Sequence, residues 1–506
     1  MKKNVLTLAV AGAVAASAQA QMYVNHDNTG EVLIYPFYSA DNGNQTYIHV
    51  VNTTGIAKAA KVRIMEAENS WEVRDFNLYL SPYDHFAFTI KLDEAGGGKL
   101  QTADTSCTVP AIPEGGIEFT NKLFEKEENA SLERTLNGYV EIIEMGQFEH
   151  TATTSPGYKW DHAGKGVPRD CPGVVGLWAQ GGAWWNDRDP GELGTTGRLS
   201  DTAWNGGGLY GMGIIVNPEA GAAVGFDAVA IDGFVDTATH GAALHYYPGS
   251  VKPGLAGNTL TSKVATVYNN GAATNLTHTS TLDAVSELLM VDTVSNDYVL
   301  DDAFAGKTDW VVTFPTKRLY VVADSNTASR AADLPFYEEW NGKDSCDPYR
   351  VQVWDREENT PKFVPGEPPF SPYTDPEVYD AEICYEANVL TFTQAGEDAQ
   401  SPLLGAEPSA SGARIQTVVE TPYENGWAQL DFKWASLTGT TYTRSAHYLP
   451  NVTNQFSSLG LPTVGFSVIR FGNNSLSGGT VLANYAAAHE HKTSRAASAI
   501  ATATGG

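Results

Sequence analysis

EVLIYPFYSADNGNQTYIHVVNTT, residues 31–54, is the stretch that decides the fold. It opens with β-branched and aromatic residues and ends in an alternating run, in which Tyr47 and His49 face one way and Ile48 the other. Between the two runs, ADNGNQ supplies Asp, Asn and Gly, which tolerate positive φ. The pattern predicts two strands joined as a β-hairpin, and Pro36 predicts an edge or a bulge in the first strand.

Strand patterns of the same kind follow along the chain, separated by turns rich in Gly, Pro and Asn. They include WEVRDFNLYLSP, DHFAFTIKL, GYVEIIEMG, TDWVVTFPT, RLYVVAD, GWAQLDFKW and TVGFSVIRFG. GIIVNPEAGAAVGFDAVAIDGF predicts a further hairpin. Short strands at such regular spacing are typical of an antiparallel sandwich.

One segment, TLDAVSELLMVDTV at 281–294, has helical spacing, with Leu282, Val285 and Leu288 on one face and Ser280 or Thr281 as its cap. We therefore expect a mainly β protein. It should contain one or more antiparallel β-sandwich-type domains with long ordered Gly- and Trp-rich loops and one packing helix.

Composition divides the chain into five regions. They are a signal peptide at 1–20, an N-terminal β-sandwich region at 21–150, a Gly/Trp-rich loop and hairpin region at 151–300 that contains helix 281–294, a C-terminal β region at 301–485 with a Pro-rich insertion at 358–382, and a flexible tail at 486–506.

The N-terminus predicts export. A basic start, MKKN, precedes the apolar run VLTLAVAGAVAASA and the small-residue site AQA, so cleavage is expected before Gln21. No later apolar run approaches the roughly 18 residues of a membrane helix, and we expect no transmembrane segment. The net charge of −27 disfavours nucleic acid as a partner. The expected location is extracellular or at the cell surface, with the periplasm as the alternative.

Four cysteines are present, Cys107, Cys171, Cys346 and Cys384, and none belongs to a CxxC pair. An even count in an exported chain predicts two disulfides. Three pairings are possible. We favour the pairs that are neighbours in sequence, Cys107–Cys171 and Cys346–Cys384.

Aromatic residues in Gly-rich loops form the candidate ligand-binding set. It consists of Trp184, Trp185, Trp204 and Tyr210. Such side chains can stack on sugar faces or anchor a protein partner. The alternative is that they cover the core beneath long loops.

The candidate metal ligands are carboxylates in turns. Asp187 and Asp189 lie in NDRDPGE, and Asp355 and Glu357 lie in VWDREENTP. Clustered oxygens suit calcium, although these loops lack the EF-hand spacing, and no other cofactor is indicated. The second cluster is also open to two other interpretations, a solvated turn or the carboxylate pair of a glycosidase.

Several motifs together resemble a known family. They are FNLYLSPYD, TDWVVTFPTKR, WDREE and GFSVIRFGN. The chain resembles a family of uncharacterised exported or cell-surface proteins of Gram-negative bacteria. The resemblance implies secretion and a β-rich fold, and it brings no activity, ligand or site residue.

We expect a non-enzymatic secreted or cell-surface structural or interaction protein. Its partners would be copies of itself, joined through the N-terminal segment or the tail, or surface glycans. The alternative is a carbohydrate-binding or carbohydrate-active extracellular protein. No catalytic motif such as GxSxG, HExxH or a P-loop occurs, so we do not favour an enzyme.

Overall fold

The computed structural model describes residues 21–185, 206–236, 244–269, 271–322, 333–360, 381–401, 403–405, 415–432, 437–438, 441–442, 447–450, 456–472 and 484–499. The fold is mainly β, and most of its strands belong to antiparallel sheets, which confirms the predicted fold class. Two pairs of larger sheets form two sandwiches, one in each half of the chain.

The first sandwich is built from the N-terminal half. Its strands are β1 (Tyr23–Val24), β2 (Val32–Ser39), β3 (Gln45–Asn52), β4 (Ala57–Glu66), β5 (Glu72–Leu80), β6 (His85–Leu92), β7 (Gly98–Gln101), β8 (Cys107–Val109), β9 (Ile117–Glu118), β10 (Asn137–Phe148), β11 (Leu209–Asn217), β12 (Ala222–Asp227) and β13 (Val229–Asp232). Sheet A has the order β1-β13-β2-β10-β4-β5-β8, and sheet B has the order β12-β11-β3-β6-β7-β9. Strands β11 to β13 complete both sheets, so this sandwich continues past the boundary expected at residue 150.

The second sandwich and several small sheets use the remaining strands. These are β14 (Val264–Asn269), β15 (Ala272–Thr277), β16 (Met290–Val291), β17 (Thr293–Val299), β18 (Lys307–Thr313), β19 (Asp347–Asp355), β20 (Ala381–Ile383), β21 (Ala387–Gln394), β22 (Gln416–Thr421), β23 (Asn425–Asp431), β24 (Leu437–Thr438), β25 (Thr441–Tyr442), β26 (Tyr448–Pro450), β27 (Phe456–Leu459), β28 (Leu461–Pro462), β29 (Val464–Phe471), β30 (Tyr485–Glu490), β31 (Lys492–Ser494) and β32 (Ala497–Ala499). Sheet C has the order β20-β19-β23-β17-β31, and sheet D has the order β22-β21-β18-β29-β30. The pair β21–β22 is parallel.

The helices in the described part of the chain are few and short. They are α1 (Cys171–Trp178), α2 (Thr281–Leu289) and α3 (Arg318–Val321), with 3₁₀ turns at Leu132–Leu136, Pro156–Lys159 and Asp302–Phe304. Within the described residues, no helix has the length and apolar character needed to cross a membrane.

The structure confirms the predicted helix but shortens it, and it corrects one predicted strand. The Ser280 hydroxyl accepts a hydrogen bond from the Asp283 N–H at 3.0 Å, which confirms Ser280 as the N-cap of α2. Met290 begins a strand, so the helix does not extend to 294. The prediction of a strand at RLYVVAD was wrong, because Arg318–Val321 forms α3.

The hairpin predicted in the opening stretch is wrong, although both strands exist. β2 pairs with β10 and β13 in sheet A, whereas β3 pairs with β11 and β6 in sheet B. The turn does use positive φ, at Asn42 and Gly43. Side-chain bonds take the place of a ladder, since the Thr46 hydroxyl donates to the Ser39 carbonyl at 2.7 Å and accepts the Ser39 N–H at 2.9 Å. The stretch is a corner that carries the chain from one sheet to the other.

Pro36 lies at a β-bulge, which was one of the two possibilities predicted from the sequence. The register of β10 against β2 shifts between Gly138 and Val140, opposite Tyr38 and Tyr35, which leaves one extra residue on β2 there. The bulge accommodates a residue that has no N–H to donate to the ladder. The second predicted hairpin, β11–β12, is confirmed.

Apolar residues pack between the faces of the sheets and between sheet A and the helices. The space between sheets A and B is filled by apolar residues such as Phe76 and Phe88. The other face of sheet A is covered by α1, α2 and loops. Sheet D packs one face on sheet C and the other on the first sandwich, where Phe226 and Phe466 stack with their ring centroids 4.6 Å apart. The other face of sheet C is half-buried or exposed along β19 and β23.

Backbone bonds join the two sandwiches. The Ala67 carbonyl accepts the N–H groups of Glu386 and Ala387 at 3.0 and 2.9 Å, and the Ser70 hydroxyl donates to the Glu386 carboxyl at 2.9 Å. The turn between β4 and β5 thus enters the second sandwich at the start of β21.

The chain end differs from the predicted flexible tail. We call Asn484–Ala499 the C-terminal strap, because it forms β30 on sheet D, β31 on sheet C and β32 on the β26–β27 pair. The Arg495 guanidinium donates to the carbonyls of Glu287 and Leu288 in the last turn of α2. A cation at a helix C-terminus is favourable, since the last carbonyls have no partner within the helix. Residues 500–506 lie outside the described residues.

Both predicted disulfides are confirmed, Cys107–Cys171 and Cys346–Cys384. The first ties α1 to the edge strand β8 of sheet A, and the second joins the segment before β19 to the end of β20. Residues 361–380 of the Pro-rich insertion and 186–205 of the Gly/Trp-rich region lie outside the described residues.

Candidate functional site

Two described members of the predicted aromatic set lie at different sheets of the first sandwich, Trp184 against sheet A and Tyr210 on sheet B. Trp184 is 2% exposed, and its ring packs on His245 at 4.7 Å and on Trp178 at 5.2 Å. Trp184 therefore covers the core, as the alternative interpretation held. Tyr210 is 38% exposed on the outer face of sheet B, where it meets His49 edge-on at 6.0 Å.

The two remaining members of the set are Trp185 and Trp204. Trp185 is half-buried beside Trp184, and Trp204 lies outside the described residues. Tyr210 is thus the one described member that is exposed rather than buried or half-buried.

The cluster that raised the calcium and glycosidase hypotheses is a closed turn. The Asp355 carboxylate accepts the Glu357 N–H at 2.9 Å, the Asn359 N–H at 2.7 Å and the Asn359 amide at 2.8 Å. Although partial burial acts to raise the pKa of Asp355, these hydrogen bonds outweigh it and lower the pKa. Glu357 is exposed beyond the end of β19. The hydrogen bonds of the turn occupy the Asp355 carboxylate oxygens that would otherwise coordinate a cation or act on a sugar.

Among the described residues, the predicted metal ligands Asp355 and Glu357 belong to no group of three potential ligands. Asp187 and Asp189 lie outside the described residues. Within the described residues, the one group of three potential ligands comprises Cys346, Cys384 and Glu382. Both cysteines belong to a disulfide, so their sulfurs are not thiolate ligands.

A Ser–His–Asp constellation lies at the mouth of a groove of about 440 Å³ between β5 and β6 and the loop that precedes α1. His162 Nδ1 is 2.8 Å from the Ser81 hydroxyl and 3.6 Å from the Asp84 carboxylate. A catalytic relay requires the serine and the carboxylate on opposite ring nitrogens. Here both approach the same nitrogen, and the Ser81 N–H also donates to Asp84, so the three side chains close a turn.

A cleft of about 720 Å³ separates the first sandwich from the C-terminal strap. Polar side chains that line this cleft are hydrogen-bonded to other parts of the protein. Arg495 binds the end of α2, and His491 Nε2 lies 2.9 Å from the Val311 carbonyl. Burial lowers the pKa of His491 to about 4, so its ring is neutral at physiological pH.

The outer face of sheet C carries a stacked pair of tryptophans exposed to solvent. Trp354 of β19 and Trp427 of β23 are directly opposite in register, with ring centroids 4.0 Å apart and planes within 9°. Trp427 is 39% exposed and Trp354 is half-buried. Burying such rings would stabilise the fold more than exposing them, and an exposed aromatic plate therefore indicates an interaction surface.

Polar side chains extend the plate into a patterned surface, which we call the tryptophan face. Its residues are Arg350, Gln352 and Trp354 of β19, Trp427, Gln429 and Asp431 of β23, Thr293, Ser295 and Asp297 of β17, and Lys492 and Ser494 of β31. The alternate residues of the same strands, including Val351 and Leu430, fill the core of the second sandwich. Period-two alternation thus places these side chains on the face of sheet C opposite that core, where Thr293 is buried and the others are half-buried or exposed.

A glycine sets the close approach of the two tryptophan-bearing strands. A Cβ on Gly426 would lie 1.8 Å from the Trp354 carbonyl oxygen and 2.9 Å from the Tyr298 hydroxyl. Tyr298 reaches through the core and donates to the same carbonyl at 3.2 Å. The close approach at Gly426 and the hydrogen bond from Tyr298 therefore constrain the backbone of β23 and β19 beneath the two tryptophans.

The face continues into a groove at the edge of the sheet. The groove has a volume of about 500 Å³ and is lined by Asp297, Trp427, His489, Glu490 and Lys492, among others. The Asn296 amide donates to the carbonyls of His489 and Glu490 at 3.4 and 3.2 Å, at the point where the strap passes from sheet D to sheet C. These hydrogen bonds hold the bend between β30 and β31 that forms one side of the groove.

Sequence reasoning missed this surface, although part of the signal was present. YRVQVW and GWAQLD both alternate, and the alternation places Trp354 and Trp427 on the polar side of each strand. Their pairing depends on β19 and β23 being neighbours, which no local pattern indicates. No protein-family model, no curated protein and no solved structure matches the chain.

Proposed function

We propose that this chain is an exported, non-enzymatic interaction protein of the cell surface or extracellular space, and that it engages its partner through the tryptophan face. The observation that carries the proposal is the stacked pair of Trp354 and Trp427 on the outer face of sheet C, with Trp427 39% exposed. A rigid aromatic plate offers a large contact area with few rotamers to immobilise on binding.

Export is part of the same proposal. The predicted leader, the motif resemblance to exported proteins of Gram-negative bacteria and two disulfides support it, because disulfides persist in oxidising compartments.

The test is binding of the purified protein, without residues 1–20, to cell envelopes and secreted polymers of the source organism. We expect Trp427→Ala to weaken binding at least tenfold while the melting temperature stays within a few degrees. Tyr268→Ala is the matched control, because Tyr268 is 51% exposed on β14 and belongs neither to the tryptophan face nor to the lining of its groove, and this variant should bind normally. Equal binding by Trp427→Ala and the parent protein would refute the proposal.

Self-assembly is a second candidate, supported by an edge strand. Among the described strands, β22 is an edge of sheet D, and its Val418 is 39% exposed. Uncovered edges with exposed apolar residues pair with further copies of a chain. The net charge of −27 opposes this pairing, so assembly should strengthen with salt.

Light scattering of the protein at low and high salt tests this second candidate. We expect Val418→Lys to remain monomeric at high salt, since a charge at an edge blocks pairing. Val418→Thr should still assemble. A parent protein that is monomeric at every salt concentration would rule out self-assembly.

A further inference from the structure

We infer that the ligand of the tryptophan face is a neutral polysaccharide chain, laid across the strands of sheet C and into the groove beside it. The inference rests on the proposed function, and it names the chemical class of the partner.

The aromatic plate matches the apolar face of a sugar ring. A pyranose presents C–H groups on its faces and hydroxyls at its rim, so one face can stack on an indole and release water from both. Trp354 covers one face of Trp427 and holds that ring parallel to itself, within 9°. The plate is therefore ordered before the ligand arrives, which reduces the entropy lost on binding.

Polar side chains surround the plate in rows that suit a hydroxyl rim. Asp297 lies beside Trp427 in the same row, and Gln352 and Gln429 form the next row with Ser295 and Lys492. Amides both donate and accept, as hydroxyls require. The Gln429 amide is held in place because it donates to the Ser295 hydroxyl at 3.2 Å.

The dimensions favour a chain over a single sugar. Neighbouring strands lie about 4.8 Å apart, so the path from β19 to β31 measures about 14 Å. Beyond Asp297 the surface leads into the groove of about 500 Å³. An extended polymer can contact the plate, the polar rows and the groove together, whereas a monosaccharide covers the plate alone.

Charge favours a neutral polymer. The face and groove carry Arg350 and Lys492 but also Asp297, Asp431 and Glu490. The protein as a whole has a net charge of −27, which repels acidic polymers at long range. A positively charged face would have indicated acidic glycans instead.

The test is affinity electrophoresis in gels containing soluble neutral polysaccharides, namely a β-glucan, a galactomannan and a xylan, with polygalacturonate as an acidic polymer. We expect at least one neutral polymer to retard the protein and polygalacturonate not to do so. Trp427→Ala should weaken the retardation at least tenfold and Gln352→Ala severalfold. Trp427→Tyr, which keeps a smaller ring, should retain part of it, and Tyr268→Ala should behave as the parent.

The outcomes separate this inference from the proposed function. If envelope binding depends on Trp427 but no neutral polysaccharide is bound, the ligand is of another class, such as a protein, and the inference fails while the proposed function stands. Retardation that survives Trp427→Ala, or retardation by polygalacturonate alone, also overturns the inference. Melting temperatures of all variants distinguish lost contacts from lost folding.

Discussion

At the scale of single residues, Glu386 connects the two sandwiches through a carboxyl group that is 1% exposed. Burial raises its pKa to about 8, although Lys317 and Arg318 act to lower it. A raised carboxyl pKa means that the folded protein holds the proton more tightly than the unfolded chain does. The resulting stability is complete below the unfolded value near 4.5 and is lost as pH rises through about 8.

Glu386→Gln should therefore flatten the pH dependence of stability. The amide keeps the shape and can still accept the Ser70 hydroxyl, but it does not titrate. In urea unfolding at pH 5, 7 and 9, we expect the parent to lose free energy of unfolding relative to the variant as pH rises. Parallel profiles for the two proteins would show that Glu386 does not titrate in this way.

Gly426 is the second decisive residue, because it permits the approach of β23 to β19. Gly426→Ala should destabilise the protein by about 1–3 kcal/mol, the range for overpacking, and should disturb the tryptophan plate. Gly225→Ala is the matched control, since a Cβ there meets its nearest neighbour at 3.7 Å. Chemical denaturation gives both values, and near-UV circular dichroism reports the stacked indoles. Similar stability of the two variants would contradict the role given to Gly426.

At the scale of elements, the C-terminal strap is fastened by a few side chains. Arg495→Ala removes two hydrogen bonds from a charged donor to the end of α2, and we expect a loss of about 1.5–3 kcal/mol. Arg495→Lys should restore part of it, and Thr493→Ala, at an exposed position, should have little effect. Thermal unfolding combined with limited proteolysis of the strap measures this. A strap equally resistant in Arg495→Ala would show that its strand pairing alone suffices.

Most of the secondary-structure elements could be predicted from the sequence, but several of their pairings could not. Period-two alternation identified most strands, and the Ser280 cap located the start of α2. Residues 31–54 misled because Asn42 and Gly43 suit a hairpin and a sheet-to-sheet corner equally well. The Ala-rich strap has little local strand propensity, and its pairing comes from the edges of β17 and β29 that it covers. Trp354 and Trp427 could be assigned to a solvated face but not to each other, since the neighbour relation of their strands is a property of the whole sheet.

At the scale of the molecule, each disulfide constrains one sandwich. The linked cysteines are 64 residues apart in the first and 38 in the second. Chain entropy then gives a stabilisation of about 4 kcal/mol for each. Cys107→Ser/Cys171→Ser and Cys346→Ser/Cys384→Ser should each lower the free energy of unfolding by roughly that amount in denaturant titrations. A loss below about 1 kcal/mol would mean that the unfolded chain is little restricted by the cross-link.

The placement of the strap also has a consequence in time. The described strands of the first sandwich are all made once the chain reaches Asp232, but β30 and β31 are made after every other described strand of the second sandwich. Until Tyr485–Ser494 appear, the adjoining edges of β29 and β17 are unpaired with their final neighbours. The second sandwich is therefore incomplete until β31 has been made, and during that interval its unpaired edges expose the newborn protein to misassembly.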